Sequence, residues 1–249
     1  MPVSIKHPIF REETDSTNRE MWRMIELSPD LPEGTILWTN NQFAGRGMAG
    51  TSWHSEAGKN LTCSLLLRPN FLEPGKQFTL NKCIALSICE TLKHFAPNHN
   101  FWIKWPNDIY FETGKIAGTL IENRIQGKTY DICVAGIGIN INQLIFPKEI
   151  PNPVSLASVT GKEHEIKKCL EVLTDRIGYF YGRLSMGHNQ SIDSLYLKHL
   201  LGYGKTLNFR KGNKNFSASI AGVNEHGKLI LIHNNTIAEF GMKEIEFVL

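Results

Sequence analysis

The chain of 249 residues has few cysteines, no clustered histidines and no apolar run long enough to cross a bilayer. Its five cysteines, at positions 63, 83, 89, 133 and 169, are odd in number and never fall in C-x-x-C spacing. That excludes a disulfide scaffold or a zinc ribbon and fits reduced thiols in a cytoplasmic protein. The nine histidines are dispersed, so no zinc ligand set is read. The net charge is only +3 and the lysines and arginines are scattered, which argues against a nucleic-acid surface. The first eight residues hold no basic stretch leading into an apolar run, so no export signal and no membrane partner are expected. Repeats and low-complexity segments are absent too. With 41% hydrophobic and 20% charged residues, the chain can bury one good core plus a small appendix.

What is present begins with Phe101-Trp102-Ile103-Lys104-Trp105-Pro106-Asn107-Asp108-Ile109-Tyr110, one lysine set among aromatic and aliphatic residues just before a turn. Lysine is seldom buried without a partner. Lys104 must either snorkel to solvent from an edge strand or meet an anion brought by a ligand.

Upstream, Gly45, Gly47 and Gly50 spell G-x-G-x-x-G between the strand-like Thr35-Ile36-Leu37-Trp38-Thr39 and Leu61-Thr62-Cys63-Ser64-Leu65-Leu66-Leu67. A dinucleotide fingerprint needs those glycines to open a helix. No helical run follows here, so that fold is rejected. The loop can still wrap backbone amides around phosphate while Arg46 supplies a guanidinium, although a plain flexible hairpin is the commoner use.

From Asp108 to Asn142 the pattern is a meander with turns at Glu112-Thr113-Gly114 and Gln126-Gly127-Lys128. In the last strand, over 129–141, Cys133, Ala135, Ile137, Ile139 and Ile141 take one face and Gly136, Gly138 and Asn140 the other. Glycines on one face, extended by Gly118 next door, leave an open floor for a ligand or a second backbone. Apolar stripes predict helices over 79–95, 166–184 and about 191–201. Beyond Gly202, short strands predict a small β-barrel, so the units are 1–202 and 203–249. Thr17 and Glu20 have the spacing of a capping box at the first helix.

Taken together, Thr14-Asp15-Ser16-Thr17-Asn18, Gly45-Arg46-Gly47 with Trp53, Lys104-Trp105-Pro106-Asn107-Asp108, Lys115-Ile116-Ala117-Gly118 and Gly136-Ile137-Gly138-Ile139-Asn140 closely resemble the biotin protein ligases in order and spacing. The resemblance implies an α+β catalytic domain like that of class II aminoacyl-tRNA synthetases, a mixed sheet flanked by helices, followed by an SH3-like barrel. It implies a ligase that joins biotin to ATP as biotinyl-AMP and then to a lysine of a biotin carboxyl carrier protein, with Mg²⁺ entering on ATP. No N-terminal DNA-binding domain is read ahead of Ser16, and a homodimer is allowed. A lipoate or octanoate ligase or transferase, and a non-catalytic biotin-sensing module, are the alternatives.

By the same resemblance Lys104 and Arg46 are catalytic, steadying the carboxylate and the phosphates. Ser16, Thr17, Asn18, Gln42, Gly45, Arg46, Gly47, Met48, Trp53, Lys104, Gly118, Gly136 and Gly138 bind biotin. Arg46, Lys104, Asn107, Lys115, Asn140 and Phe146 bind ATP, and Asp108 is the candidate metal ligand. Met48 and Thr51 stand where many members have arginine, and Phe146 is the single ring available to stack on adenine in the segment 146–156.

Overall fold

The computed structural model describes residues 7–127 and 129–248. Residues 1–6, Lys128 of the predicted Gln126-Gly127-Lys128 turn and Leu249 of the second predicted unit lie outside the described residues. The chain runs β1 (His7–Thr14), α1 (Thr17–Leu27), β2 (Thr35–Gln42), β3 (Leu61–Leu67), α2 (Gln77–Phe95), β4 (Trp102–Lys104), β5 (Asp108–Phe111), β6 (Gly114–Gln126) and β7 (Thr129–Ile139). It continues through α3 (Leu156–Thr160), α4 (Ile166–Ser185), α5 (Asn189–His199), β8 (Thr206–Lys211), β9 (Lys214–Val223), β10 (Leu229–His233), β11 (Thr236–Phe240) and β12 (Glu246–Val248).

The first seven strands form one mixed sheet in the order β1-β2-β3-β7-β6-β5-β4, parallel only between β1 and β2. Its middle is covered on both faces. Cys133, Ala135, Ile137 and Ile139 join Cys63 and Leu65 in a core completed by α2 and α4. Their neighbours Ile132 and Val134 point the other way, onto Met21 and Ile25 of α1. This double burial explains why all seven residues of β3 are buried. At Gly136 and Gly138 the apolar cover by α1 stops, and the site begins.

The predicted helices all form, shifted by two residues at most at either end. The predicted end of α5 at residue 201 moves to His199 because Leu201 N–H instead donates to Ile103 O of β4, at 2.8 Å. The last strand of the meander stops at Ile139, since Ile141 N–H turns to Asn60 Oδ1 at 3.0 Å.

The last five strands form an antiparallel sheet in the order β11-β10-β9-β8-β12. Among the described residues β11 and β12 have one neighbour each, so no closed barrel is seen where one is expected. Phe209, Ile220, Leu229 and Leu231 belong to the same buried cluster as α2, so the two sheets share one core. Trp105 Nε1 donates to Gly227 O at 2.8 Å, fastening the turn after Lys104 to the small sheet.

Candidate active site

A cleft of about 290 Å³ opens where the start of α1, the β2–β3 loop and the glycine face of β6 and β7 meet. Ser16, Thr17 and Asn18 line one side, with Gln42, Arg46, Gly47, Met48 and Trp53 above, and Asn107, Asp108, Lys115, Gly118, Gly136 and Gly138 below. The loop joins two antiparallel strands with only a short 3₁₀ turn, Met48–Gly50, which agrees with rejecting a dinucleotide fold.

The glycines work through close approach. Gly138 sits opposite Gly118 on β6 and Thr62 on β3, as Gly136 sits opposite Leu120 and Ser64. A Cβ on Gly138 would lie 2.6 Å from Cζ2 of Trp53, and one on Gly136 would overlap Asn18 Oδ1. The open floor expected from sequence is therefore paved by an indole and an amide. Gly45 does not line the cleft; a Cβ there would stand 2.6 Å from Gln42 Nε2, so its bareness lets that side chain in. Gly47 N–H donates to Thr51 O at 2.7 Å and Trp53 N–H to Gly45 O at 3.0 Å. Those two amides are committed to the hairpin, not to a phosphate.

A polar chain runs along the wall of the cleft. Gln42 Oε1 accepts from Thr17 N–H at 2.8 Å and from Thr17 Oγ1 at 3.1 Å. Ser64 Oγ lies 2.8 Å from Thr17 Oγ1 and 2.6 Å from Asn18 Oδ1. Asn18 Nδ2 donates to Glu122 Oε2 at 2.9 Å and to Leu120 O at 3.2 Å. Both side-chain amides are thus oriented before any ligand arrives. The capping box expected of Thr17 and Glu20 does not form. Ser16 is the N-cap, the Thr17 hydroxyl is occupied by Gln42, and Glu20 turns to Arg23 at 2.8 Å.

The cations in the cleft are paired. Arg46 Nη2 donates to Glu122 at 2.9 Å, and Lys115 Nζ lies 2.6 Å from Asp108 Oδ1 and 5.8 Å from the centre of the Trp53 ring. Lys104 does not line the cleft. Its ammonium donates to Tyr110 Oη at 3.2 Å, resting between the ring of Tyr110 at 4.9 Å and that of Phe247 at 5.6 Å. Burial holds its pKa below the ordinary lysine value, with Asp108 opposing the effect, while burial pushes the Tyr110 phenol up to about 12. Lys104 forms no ion pair among the described residues.

Two further predicted residues lie elsewhere. Asn140 is nearly buried and spends its Nδ2 on Val154 O at 3.1 Å, bracing the loop before α3. Phe146 lines a separate hollow with His54, Lys59 and Glu163. Asn107 faces the cleft but anchors its own turn by donating to Thr119 O. No group of three or more metal-binding side chains occurs among the described residues, and Asp108 is already tied to Lys115. This donor set does not make a resident metal centre.

Sequence reasoning missed Glu122 and Ser64. Their signal was period two: Glu122 shares a strand face with Gly118 and Leu120, and Ser64 stands in register with Gly136.

Residues 10–140, more than half of the chain, match the biotin/lipoate A/B protein ligase family. The chain belongs to that family. Among its relatives, a biotin–[acetyl-CoA-carboxylase] ligase of Paracoccus denitrificans is 30% identical over 226 residues, covering 88% of this chain and 91% of the relative. The bifunctional ligase/repressor BirA of Bacillus subtilis is 29% identical over 246 residues, 97% of this chain and 74% of that one. In three dimensions the chain is similar to the biotin protein ligase of Aquifex aeolicus in complex with biotin and ATP, with a TM-score of 0.80, 28% identity, and coverage of 97% and 98%. The family match spans the cleft from Ser16 to Gly138, and the Lys104 segment as well.

Proposed function

We propose that this chain is an ATP-dependent biotin–[acetyl-CoA-carboxylase] ligase, which makes biotinyl-AMP and passes the biotinyl group to a lysine of a biotin carboxyl carrier protein. The observation that carries this reading is the preset amide pair, Gln42 and Asn18, beside the Trp53 wall over Gly138. A flat urea brings donors and acceptors to such a polar wall, whereas an acyl chain would bring none and would only desolvate it.

In the first half-reaction a carboxylate oxygen of biotin attacks the α-phosphorus of ATP and pyrophosphate leaves. Two anions must meet, so positioned positive charge is the main requirement. Arg46 and Lys115 are each partly neutralised by a carboxylate, which leaves Lys104 as the cation best able to meet the new charge. Turning its ammonium from Tyr110 toward the cleft would bring it to the carboxylate and the α-phosphate. Asn107, Lys115, Asn140 and Phe146 remain the candidate ATP side, with Mg²⁺ travelling on the nucleotide. In the second half-reaction the carrier lysine's amine attacks the acyl carbon of the anhydride, and AMP leaves. The small sheet is read as the family's SH3-like unit within 203–249, and the cytoplasm as the place where enzyme and carrier meet.

The test is transfer of labelled biotin to a carrier domain with ATP, with lipoate and octanoate as competitors. Biotin-specific, ATP-dependent labelling of one carrier lysine is expected. Transfer of octanoate or lipoate in place of biotin would overturn the reading, as would biotin binding without pyrophosphate release.

A further inference from the structure

The carboxylate of Glu122 collects three donors from two elements, the β2–β3 loop and α1, which are also tied at their ends by Ala44 N–H to Asp15 O at 2.8 Å and by Thr17 N–H to Gln42 Oε1 at 2.8 Å. Arg46 Nη2 reaches it from the β2–β3 loop at 2.9 Å, and Asn18 Nδ2 and Trp22 Nε1 reach it from α1 at 2.9 and 3.3 Å. The side chain lies on β6 only 28% exposed, so the ion pair with Arg46 is better sheltered than a surface contact. Arg46 Nε is buried with no partner, so the guanidinium's placement depends on what its Nη2 meets. Two glycines flank Arg46 and cannot stiffen it, and Met48 and Thr51 add no second cation to the loop.

We infer that Glu122 is a positioning residue for the ligation reaction: it draws the Arg46 loop down over the cleft and fixes the outward face of Asn18. This rests on the ligase reading above. A carboxylate suits the role because it accepts from all three donors at once, whereas an amide in its place would set an N–H against Arg46 or against Asn18. Glu122 does not line the cleft; it acts through Arg46 and Asn18. A loop so held closes without ligand, and biotinyl-AMP should leave slowly once made.

The experiment compares Glu122→Gln, Arg46→Ala and the double variant with wild type. Three quantities are read: KM and kcat for biotin-dependent pyrophosphate release, the dissociation rate of preformed biotinyl-AMP, and, in wild type and Glu122→Gln, trypsin cleavage of the Arg46–Gly47 bond in free protein. For Glu122→Gln the expected result is a KM for biotin and an adenylate release rate each raised about tenfold, the equivalent of about 1.4 kcal/mol. Its kcat should stay within about threefold of wild type, since Lys104, the cation assigned to the new charge, rests on Tyr110 and Phe247 and not on Glu122. Cleavage after Arg46 should speed up in Glu122→Gln, and the double variant should lose less than the sum of the two single losses, the remainder being the share that Glu122 exerts through Asn18. Unchanged KM, release and cleavage in a folded Glu122→Gln protein would overturn the inference, as would fully additive losses in the double variant. If wild type itself makes no pyrophosphate, the ligase reading falls, and the cleavage rate, which needs no ligand, still decides whether Glu122 holds the loop. Should Glu122→Gln not fold, Glu122→Asp withdraws the same charge by one methylene and carries the same expected directions.

Discussion

Replacing Gly138 by alanine tests whether the floor of the cleft and its indole wall are one mechanical unit. The new methyl carbon would come within 2.6 Å of Cζ2 and 2.7 Å of Nε1 of Trp53, and optimal carbon separations are about 3.5–4.0 Å, so one partner must move by about 1 Å. β7 is clamped between β3 and β6, whereas Trp53 stands in a loop, so the ring gives way. Overpacking of this kind costs about 1–3 kcal/mol. We assign about 1 kcal/mol to stability, a fall in Tm of about 2–4 °C for a chain this long. The remainder falls on the pocket, and a displaced wall should weaken biotin binding about tenfold. Gly118→Ala is the matched control from the opposite register position. The atoms nearest its Cβ would be Asp108 Oδ1 at 3.2 Å and the end of Lys115 at 3.3 Å, the tips of side chains that can swing aside. Titration calorimetry with biotin and scanning calorimetry of both variants, each also in a Trp53→Ala background, complete the comparison. Without the ring the methyl group meets no obstacle, so the penalty should vanish. Equal binding by Gly138→Ala and wild type, or a penalty that survives Trp53→Ala, would refute the reasoning.

Four other outcomes follow. Lys104→Ala should abolish pyrophosphate release while leaving Tm nearly unchanged, and near-normal release would remove Lys104 from the reaction. Because burial lowers the Lys104 pKa in the folded protein, the unfolded chain binds more protons between the folded and unfolded values; stability should therefore rise with pH across that alkaline window, an increment that urea titrations of Lys104→Met should lack. Lys82 is 5% exposed and lies 2.7 Å from Asp193, so Asp193→Ala, which strands a buried charge, should cost about 1–3 kcal/mol in urea denaturation, while Lys82→Met costs less or nothing. Met48→Arg should slow biotinyl-AMP release about tenfold if the loop lacks a cation to pin the adenylate, and leave it unchanged or faster if the thioether is an apolar lid, as read by dissociation of preformed adenylate and labelling of a bystander protein.

The sequence made legible whatever is set by local periodicity. The stripes of α2 and α4 and the alternation along β7 depend on neighbours within one element, and they place Gly136 and Gly138 on the site face correctly. The direction of the Lys104 side chain depends on Phe247, supplied by the far end of the chain, and no local pattern encodes that meeting. Asn140 read as a floor residue because its strand seemed to continue; the chain bends there, and its amide is consumed by Val154. Beyond the face it shares with Gly118, Glu122 is not singled out by anything in its own strand. Its three donors come from segments about a hundred and about eighty residues away, which only the folded register assembles.

The bond from Trp105 to Gly227 has a consequence for how the molecule comes apart. Gly227 adopts φ +83° directly against the ring of Phe78, where a Cβ would stand 2.7 Å from Cγ, so a turn of the small sheet is keyed into α2 as well as into the turn after Lys104. Some 45 residues bury too little surface to persist alone. The small sheet should therefore melt with the large one in a single calorimetric transition. Heat could not peel it away first without also freeing the ring of Phe247 from the lysine it covers.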